Sequence, residues 1–257
     1  MDWTIYLILF GAGAGAGIMN TVGGGGSVLT LPAMIFAGIP PTEANATNRI
    51  GIIAQGAMAL WRFRLGGVQE DATSLRLVAA GLPGAAIGAL LAAWIPDEHF
   101  RVLLGYLMLG LLALIMLRPK PRLPEVGVMG SAWSLLSGRG KLATAVSFFL
   151  LGIYMGFLQA GGGIMILIVL GYLMRMDLVR GNYVKLFFVF FLQLMAVGVF
   201  IASGVAIYWV AGLALFAGQT GGAWIGSLIA LKGGEKWITA VLVVSILASS
   251  GRLIGLY

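Results

Sequence analysis

Long apolar segments with almost no charge follow one another along this sequence, and they leave few folds open to it. Of the 257 residues, 60% are hydrophobic and 10% are charged, whereas a soluble domain carries about 25% charged residues. A soluble protein of this size could not cover its surface with so few polar side chains. A helix of about 20 apolar residues crosses a hydrocarbon core of about 30 Å. The sequence therefore predicts an all-α polytopic membrane protein.

The apolar segments form two series of five helical elements, and the second element of each series is short. The first residues lack a basic n-region, so we expect a membrane helix there and not a cleaved signal peptide. We predict a first transmembrane repeat at 1–117, a basic cytoplasmic linker at 118–140 and a second repeat at 141–257. The predicted elements are 5–22, 27–37, 43–64, 73–95 and 99–117, then 142–159, 164–174, 178–203, 205–231 and 237–254.

A shift of 137 residues superposes the two series without a gap as far as Gly84, which falls on Gly221. The shift also places Asn45 on Asn182 and the glycine run 24–26 on the run 161–163. Apolar composition alone would not give a single offset through Gly and Asn together. Each series crosses the membrane an odd number of times, whether its short elements span or re-enter. The second repeat is therefore predicted to be inverted, as in many secondary transporters.

The basic residues support this topology. With inverted halves, 13 of the 16 Lys and Arg fall on one side, and only Arg49, Arg101 and Arg252 fall on the other. The positive-inside rule makes the crowded side cytoplasmic and places both termini on the outer, periplasmic or extracellular, side. Topology thus explains the net charge of +7, and no nucleic-acid partner is expected. The crowded side holds Arg62, Arg64, Arg76, Arg118, Lys120, Arg122, Arg139, Lys141, Arg175, Arg180, Lys185, Lys232 and Lys236.

Glycine runs at 23–26 and 161–163 interrupt apolar sequence at equivalent places. Each Gly costs roughly 1 kcal/mol of helix stability relative to Ala. Close helix packing is one explanation. The alternative is a broken helix whose free N–H groups and positive dipole end bind an anion, and the recurrence favours it. A phosphate-binding P-loop is excluded because no Gly-Lys-Ser/Thr follows either run.

Polar residues gather around these breaks and supply candidate ligands. Arg49 and Lys185 are cations that enter the membrane from opposite faces. Buried polar groups in a bilayer are costly and usually functional; the alternative is that both side chains extend to the lipid headgroups. The predicted substrate-binding residues are Asn20, Thr21, Gly24, Gly25, Gly26, Ser27, Asn48, Arg49, Gln159, Gly161, Gly162, Gly163, Lys185 and Gln219.

Several kinds of chemistry are excluded. The chain has no cysteine and one histidine, so it lacks a disulfide framework, thiolate metal sites and His-based triads. No carboxylate falls clearly at mid-membrane, which disfavours a sodium site or an Asp/Glu proton relay. Donors without acids favour an anionic substrate. We expect no catalytic residue, no metal and no cofactor, and therefore no enzyme.

The first glycine motif resembles that of a known family. Residues 15–27 are followed by Pro32, Pro41 and an Ala-Asn-Ala-Thr-Asn run at 44–48, and a weaker copy spans 152–163. The pattern resembles the TauE/SafE sulfite exporter family, also known as the toluene sulfonate uptake permease family, over almost the whole chain. The second copy departs from the usual form in placing Lys185 within a bulky segment, 184–191.

The resemblance implies a function as well as a fold. It implies a secondary transporter that exports sulfite, or an organosulfonate such as sulfoacetate, across the inner membrane by alternating access. Its partners would be the small anion and the lipid bilayer. Two alternatives stay open at this point: uptake of a sulfonate or small carboxylate by the same fold, and an anion channel. The oligomeric state is also open between a monomer and a homodimer.

Overall fold

The computed structural model describes residues 2–68, 72–117, 133–134 and 136–231. The predicted last segment at 237–254 and residues 118–132 of the predicted linker lie outside this part. The described residues confirm the all-α prediction, and helix α6 begins inside the predicted linker. The helices are α1 Trp3–Val22, α2 Ser27–Phe36, α3 Pro41–Leu65, α4 Ala72–Trp94, α5 Asp97–Leu117, α6 Gly138–Phe157, α7 Gly162–Met174, α8 Leu178–Ala202 and α9 Trp209–Leu231.

Five of the described helices, α1, α4, α6, α8 and α9, are long and apolar enough to cross a membrane. Helices α2 and α7 are shorter, at 10 and 13 residues. Large apolar side chains such as Trp3, Trp94 and Trp209 are exposed on the protein surface, and lipid contact explains this exposure better than water does. The architecture is that of a multi-pass membrane protein.

Both predicted breaks interrupt the helices. Helix α1 ends at Val22 and α2 begins at Ser27, while α6 ends at Phe157 and α7 begins at Gly162. Within the breaks, Gly24 has a φ of 111° and Gly161 a φ of 70°. These backbone angles carry little penalty for glycine and are rare for other residues. The glycines therefore let the chain leave one helix and enter the next within a few residues.

Each main helix contact has a counterpart in the other half under the 137-residue shift. Helix α1 packs against α9 and α4 against α6, while α3 contacts α9 and α4 contacts α8. Small residues allow close approach in both main pairs. A Cβ on Gly17 would lie 2.4 Å from the Gln219 carbonyl oxygen, and one on Gly88 would lie 1.9 Å from the Ile153 carbonyl oxygen. The inverted orientation of the halves and the division at 117 and 140 stay predictions.

Candidate functional site

A cavity of about 30 Å³ lies where the two helix breaks meet. The backbones touch there, because a Cβ on Gly24 would lie 2.9 Å from Gly163 Cα. A cavity needs at least about 10–15 Å³ of such volume to hold one water. This one therefore has room for about two water-sized groups, which suits a compact ligand. The breaks, α1, α2, α3, α6, α7 and α8 all contribute to its wall.

The predicted site residues divide into three groups by their distance from the cavity. Four of them do not line the cavity but are connected to wall residues by hydrogen bonds: Gly26, Asn48, Arg49 and, through Asn48, Gln219. Thr21, Gly25, Gly161 and Gly162 do not line it. Substrate contact by any of them stays a prediction. The predicted residues that do line the wall are Asn20, Gly24, Ser27, Gln159, Gly163 and Lys185.

Six further wall residues were missed by the sequence analysis. Two of them, Gln55 and Gln193, are amides buried inside long helices. An amide within an otherwise apolar span is itself a signal, and it could have identified both. The other four are apolar and carry no such signal. The missed residues are Ile52, Gln55, Met155, Leu186, Val189 and Gln193.

Two helix N-termini meet the cavity. Helices α2 and α7 begin at Ser27 and Gly162, and neither has a side-chain cap. The N–H groups of Ser27 and Gly163 donate no hydrogen bond to another group in the described part of the chain. Both residues line the cavity. Free first-turn N–H groups at the positive end of a helix dipole are donors suited to an anion.

The side-chain amides at the wall are oriented by groups that can donate a hydrogen bond but cannot accept one. The Gly26 N–H donates to Asn20 Oδ1 at 2.6 Å, so Asn20 Nδ2 is free to donate to Gln55 Oε1 at 3.0 Å. The Arg49 guanidinium donates to Gln193 Oε1 at 2.5 Å. A backbone N–H and a guanidinium have no acceptor atom, so these orientations are fixed. Because the oxygens of Gln55 and Gln193 are occupied, both side chains can offer a ligand only their amide hydrogens, and Gln193 Nε2 has no partner in the described part of the chain.

A second chain of hydrogen bonds orients Ser27. Gln219 Nε2 donates to Asn48 Oδ1 at 3.2 Å, and Asn48 Nδ2 donates to Ser27 Oγ at 3.3 Å. Because Ser27 Oγ already accepts a hydrogen bond, its own hydrogen is available to a ligand. Asn48 and Gln219 are therefore positioned to orient a donor at the wall, at one and two hydrogen bonds from Ser27 respectively.

The two predicted cations are buried, and each meets a helix end of the other half. Lys185 is 1% exposed and donates to the Asn20 carbonyl oxygen at 2.8 Å. Arg49 is fully buried and donates to the carbonyl oxygens of Met155 at 3.0 Å and Gly156 at 2.5 Å. These carbonyls belong to the last turns of α1 and α6, where the helix dipole favours a cation. The alternative that both side chains extend to headgroups is wrong.

Two buried asparagines also donate hydrogen bonds from each half to a helix end of the other half. Asn45 Nδ2 donates to the Phe157 carbonyl oxygen at 2.8 Å, and Asn182 Nδ2 donates to the Thr21 carbonyl oxygen at 2.7 Å. The residues fall on each other under the 137-residue shift. Each supplies a donor to carbonyls that have no partner within their own broken helix. Residues from each half therefore supply hydrogen-bond donors to the helix-end carbonyls of the other half.

Gln159 differs from the other amides at the wall. It is 4% exposed, and within the described part of the chain neither Oε1 nor Nε2 has a hydrogen-bond partner. No carboxylate lines the cavity. No cluster of three or more His, Asp or Glu side chains that could hold a metal occurs among the described residues. The wall thus combines one lysine, free N–H groups and oriented amides.

The chain resembles known membrane proteins over almost its full length. The family model for sulfite exporter TauE/SafE matches residues 9–253. A probable membrane transporter protein, ORF9, from Sinorhizobium sp is 30% identical over 248 residues, which cover 96% of this chain and 91% of that protein.

Two further relatives agree. The probable membrane transporter protein YfcA of Escherichia coli K12 is 26% identical over 253 residues, which cover 96% of this chain and 88% of YfcA. A probable membrane transporter protein of Haemophilus influenzae is 26% identical over 251 residues, covering 96% and 93% of the two chains. No solved structure matches. The chain is a membrane transporter protein and belongs to the sulfite exporter TauE/SafE family.

Proposed function

We propose that this protein is a secondary transporter that exports a compact sulfur-containing oxyanion, with sulfite as the leading substrate. The cavity between the helix breaks would be its binding site. Membership of the TauE/SafE family supports membrane transport. The single observation that carries the choice of an anion is the wall itself. It offers Lys185, the N–H groups of Ser27 and Gly163 and oriented amide hydrogens, with no carboxylate.

Burial gives this donor-rich wall a strong preference for negative charge. An unpaired ion in a low-dielectric interior carries a large free-energy penalty. Charge-assisted hydrogen bonds from an ammonium and from backbone N–H groups offset that penalty for an anion. A cation would instead lie beside Lys185 with few free oxygens to coordinate it. Sodium or another cation therefore does not fit as the occupant of this cavity.

Size favours the smaller anions of the predicted class. The cavity is small, at about 30 Å³, so we expect it to accept sulfite more readily than anions with additional heavy atoms. Sulfoacetate adds a carboxylate, and the described wall holds no second cation for it. Large aromatic sulfonates fit still less well. We expect affinity to fall in the order sulfite, small alkyl sulfonates, sulfoacetate.

Alternating access suits a site built from both halves. Asn20, Gly24 and Ser27 come from the first half, while Gln159, Gly163 and Lys185 come from the second. Relative rocking of the halves would expose the cavity to one side of the membrane at a time. Gly24 and Gly163 would move apart during this motion and open the cavity. Outward transport is the direction that the family name supports.

A binding panel and a flux assay test the proposal. Detergent-purified protein is titrated with sulfite, sulfate, thiosulfate, sulfoacetate and acetate, and liposomes are assayed for saturable exchange of sulfite. Lys185→Met should lower sulfite affinity about 10- to 150-fold, because a hydrogen bond to a charged group contributes about 1.5–3 kcal/mol. The exposed residue Arg139 provides a control, and Arg139→Met should bind as the native protein does. Binding of acetate alone would refute the substrate class, and an ohmic, non-saturating current would indicate a channel.

A further inference from the structure

Among the residues of the described cavity wall, Gln159 carries the one side-chain oxygen that no protein donor occupies. The Oδ1 of Asn20 and the Oε1 atoms of Gln55 and Gln193 each accept a hydrogen bond, and so does Ser27 Oγ. Gln159 Oε1 accepts none, and Gln159 Nε2 donates none. A buried amide with both ends unsatisfied costs about 1–3 kcal/mol for each group. A ligand that satisfies both atoms would remove this penalty.

The backbone conformation of Gln159 also indicates a ligand site. The residue follows the end of α6 with a φ of 63°, which is uncommon for a residue other than glycine. Such strain persists where the surrounding structure fixes it, and it is frequent at ligand sites. Glycines occupy nearby positions in this break, yet a glutamine is found at this left-handed position. Its side chain lines the cavity with no structural hydrogen bond to make.

We propose that Gln159 makes the site selective for a compact oxyanion that retains one proton, an inference that rests on the transport function proposed above. Gln159 Oε1 accepts the O–H of the anion, and Gln159 Nε2 donates to a neighbouring oxygen of the same anion. A primary amide and a protonated oxyacid group form such a two-bond ring because each offers one donor beside one acceptor. The remaining oxygens of the anion meet Lys185 and the two helix N-termini.

The charges around the cavity agree with a singly charged ligand. Lys185 is the only charged residue at the described wall. Arg49 lies behind Gln193, and its guanidinium is directed at two carbonyl oxygens and the Gln193 amide. Tyr154, on α6, donates its hydroxyl to the Ala160 carbonyl oxygen. No titratable residue from α1, α2 or α7 lines the cavity.

A monoanion matches the single charge at the described wall, the Lys185 ammonium, whereas the second charge of a dianion would have only Arg49, behind Gln193, to offset it. In a low-dielectric interior that excess charge is costly. Sulfite takes up a proton near neutral pH to become bisulfite, which is a monoanion with a proton to donate. A transporter that binds this form carries the proton with its substrate and needs no carboxylate of its own. A sulfonate is a monoanion as well, but it has no proton for Gln159 Oε1.

The test compares sulfite with methanesulfonate, which stays a monoanion without an O–H throughout the range from about pH 6 to pH 8.5. For the native protein, sulfite affinity should fall by about tenfold per pH unit above the ionisation of the ligand itself. Methanesulfonate affinity should stay constant, so that any titration of Lys185 would be detected as a change with this ligand. A sulfite affinity that is as pH-independent as that of methanesulfonate would overturn the inference.

A variant provides the second measurement. Gln159→Met keeps a side chain of similar length and removes both hydrogen bonds, so sulfite affinity at pH 6 should fall at least tenfold. Methanesulfonate affinity should fall less, because only the Nε2 contact is lost. Equal losses for the two ligands would overturn the role of Gln159 Oε1. If neither anion binds the native protein, the proposed function itself fails; if both bind with the same pH profile, only this inference fails.

Discussion

Replacement of Gly24 with alanine would act on the contact between the two breaks. Gly24 has a φ of 111°, and an added Cβ would lie 2.9 Å from Gly163 Cα and 2.9 Å from the Ile164 nitrogen. Real Cβ atoms do not approach backbone this closely, and a backbone neighbour cannot rotate away as the end of a side chain can. Gly24→Ala therefore either strains the contact between the two breaks or pushes α7 away from the first break.

The two sources of strain give a magnitude. A non-glycine residue in a sparsely populated backbone region costs about 1–3 kcal/mol. Overpacking by one methyl group in a tight core costs about 1–3 kcal/mol. The sum is about 2–6 kcal/mol against the arrangement in which the two breaks touch. At about 1.4 kcal/mol for each factor of ten, even the lower value weakens sulfite binding about 30-fold if binding requires this arrangement.

The neighbouring glycine is a matched control. A Cβ on Gly23 meets no heavy atom within 4 Å, and the φ of Gly23 is −136°. Gly23→Ala should therefore bind sulfite as the native protein does, with an unfolding midpoint within a few degrees of the native value. Both variants are purified in detergent and compared by calorimetric titration and by thermal unfolding. Native-like sulfite affinity and stability in Gly24→Ala would refute the claim that backbone contact between the breaks builds the site.

Three other substitutions test the packing and the reciprocal hydrogen bonds. Asn182→Ala leaves the Thr21 carbonyl at the end of α1 without its donor. The free energy of unfolding should fall by about 1–3 kcal/mol, measured by thermal unfolding. An unchanged stability would contradict a capping role for Asn182. Arg49→Lys replaces the two guanidinium nitrogens that hold two carbonyls and an amide with a single nitrogen, so sulfite affinity should fall at least tenfold in a titration. Native affinity would show that the guanidinium fork is dispensable. Gly88→Ala should destabilise the protein by about 1–3 kcal/mol through a backbone clash between α4 and α6. Gly110→Ala, with open space around its Cβ inside α5, should unfold at or slightly above the native temperature because Ala favours a helix, and equal midpoints for the two glycine variants would contradict the clash.

Much of the fold follows from hydropathy and glycine placement. The apolar segments predict the helices of the described residues to within a few positions, because lipid forces backbone hydrogen bonds to be satisfied within each segment. Both breaks also follow from the glycines, since few other residues tolerate the required φ. Helix α3 begins at Pro41, before the predicted residue 43. The first helical position needs no N–H donor, so proline fits there.

The candidate site is harder to predict, because it depends on how the helices rotate against one another. Gln55 and Gln193 are isolated amides, and the 137-residue shift pairs them with Leu192 and Gly56. A comparison based on matched positions therefore passes over both. Arg49 is visible in the sequence as a cation in an apolar span, but its partners are carbonyls of α6. Only the tertiary fold brings those carbonyls to it.

The reciprocal donors described above also bear on how such a chain assembles during synthesis. The end of α1 receives its hydrogen bonds from Lys185 and Asn182, and the end of α6 receives its hydrogen bonds from Arg49 and Asn45. When the first five helices have left the ribosome, the carbonyls of α1 are still without these donors, and each such group in lipid costs several kcal/mol. The first half is therefore expected to be less stable alone than within the complete chain. Two half-length polypeptides made together should restore transport, whereas either half made alone should be degraded.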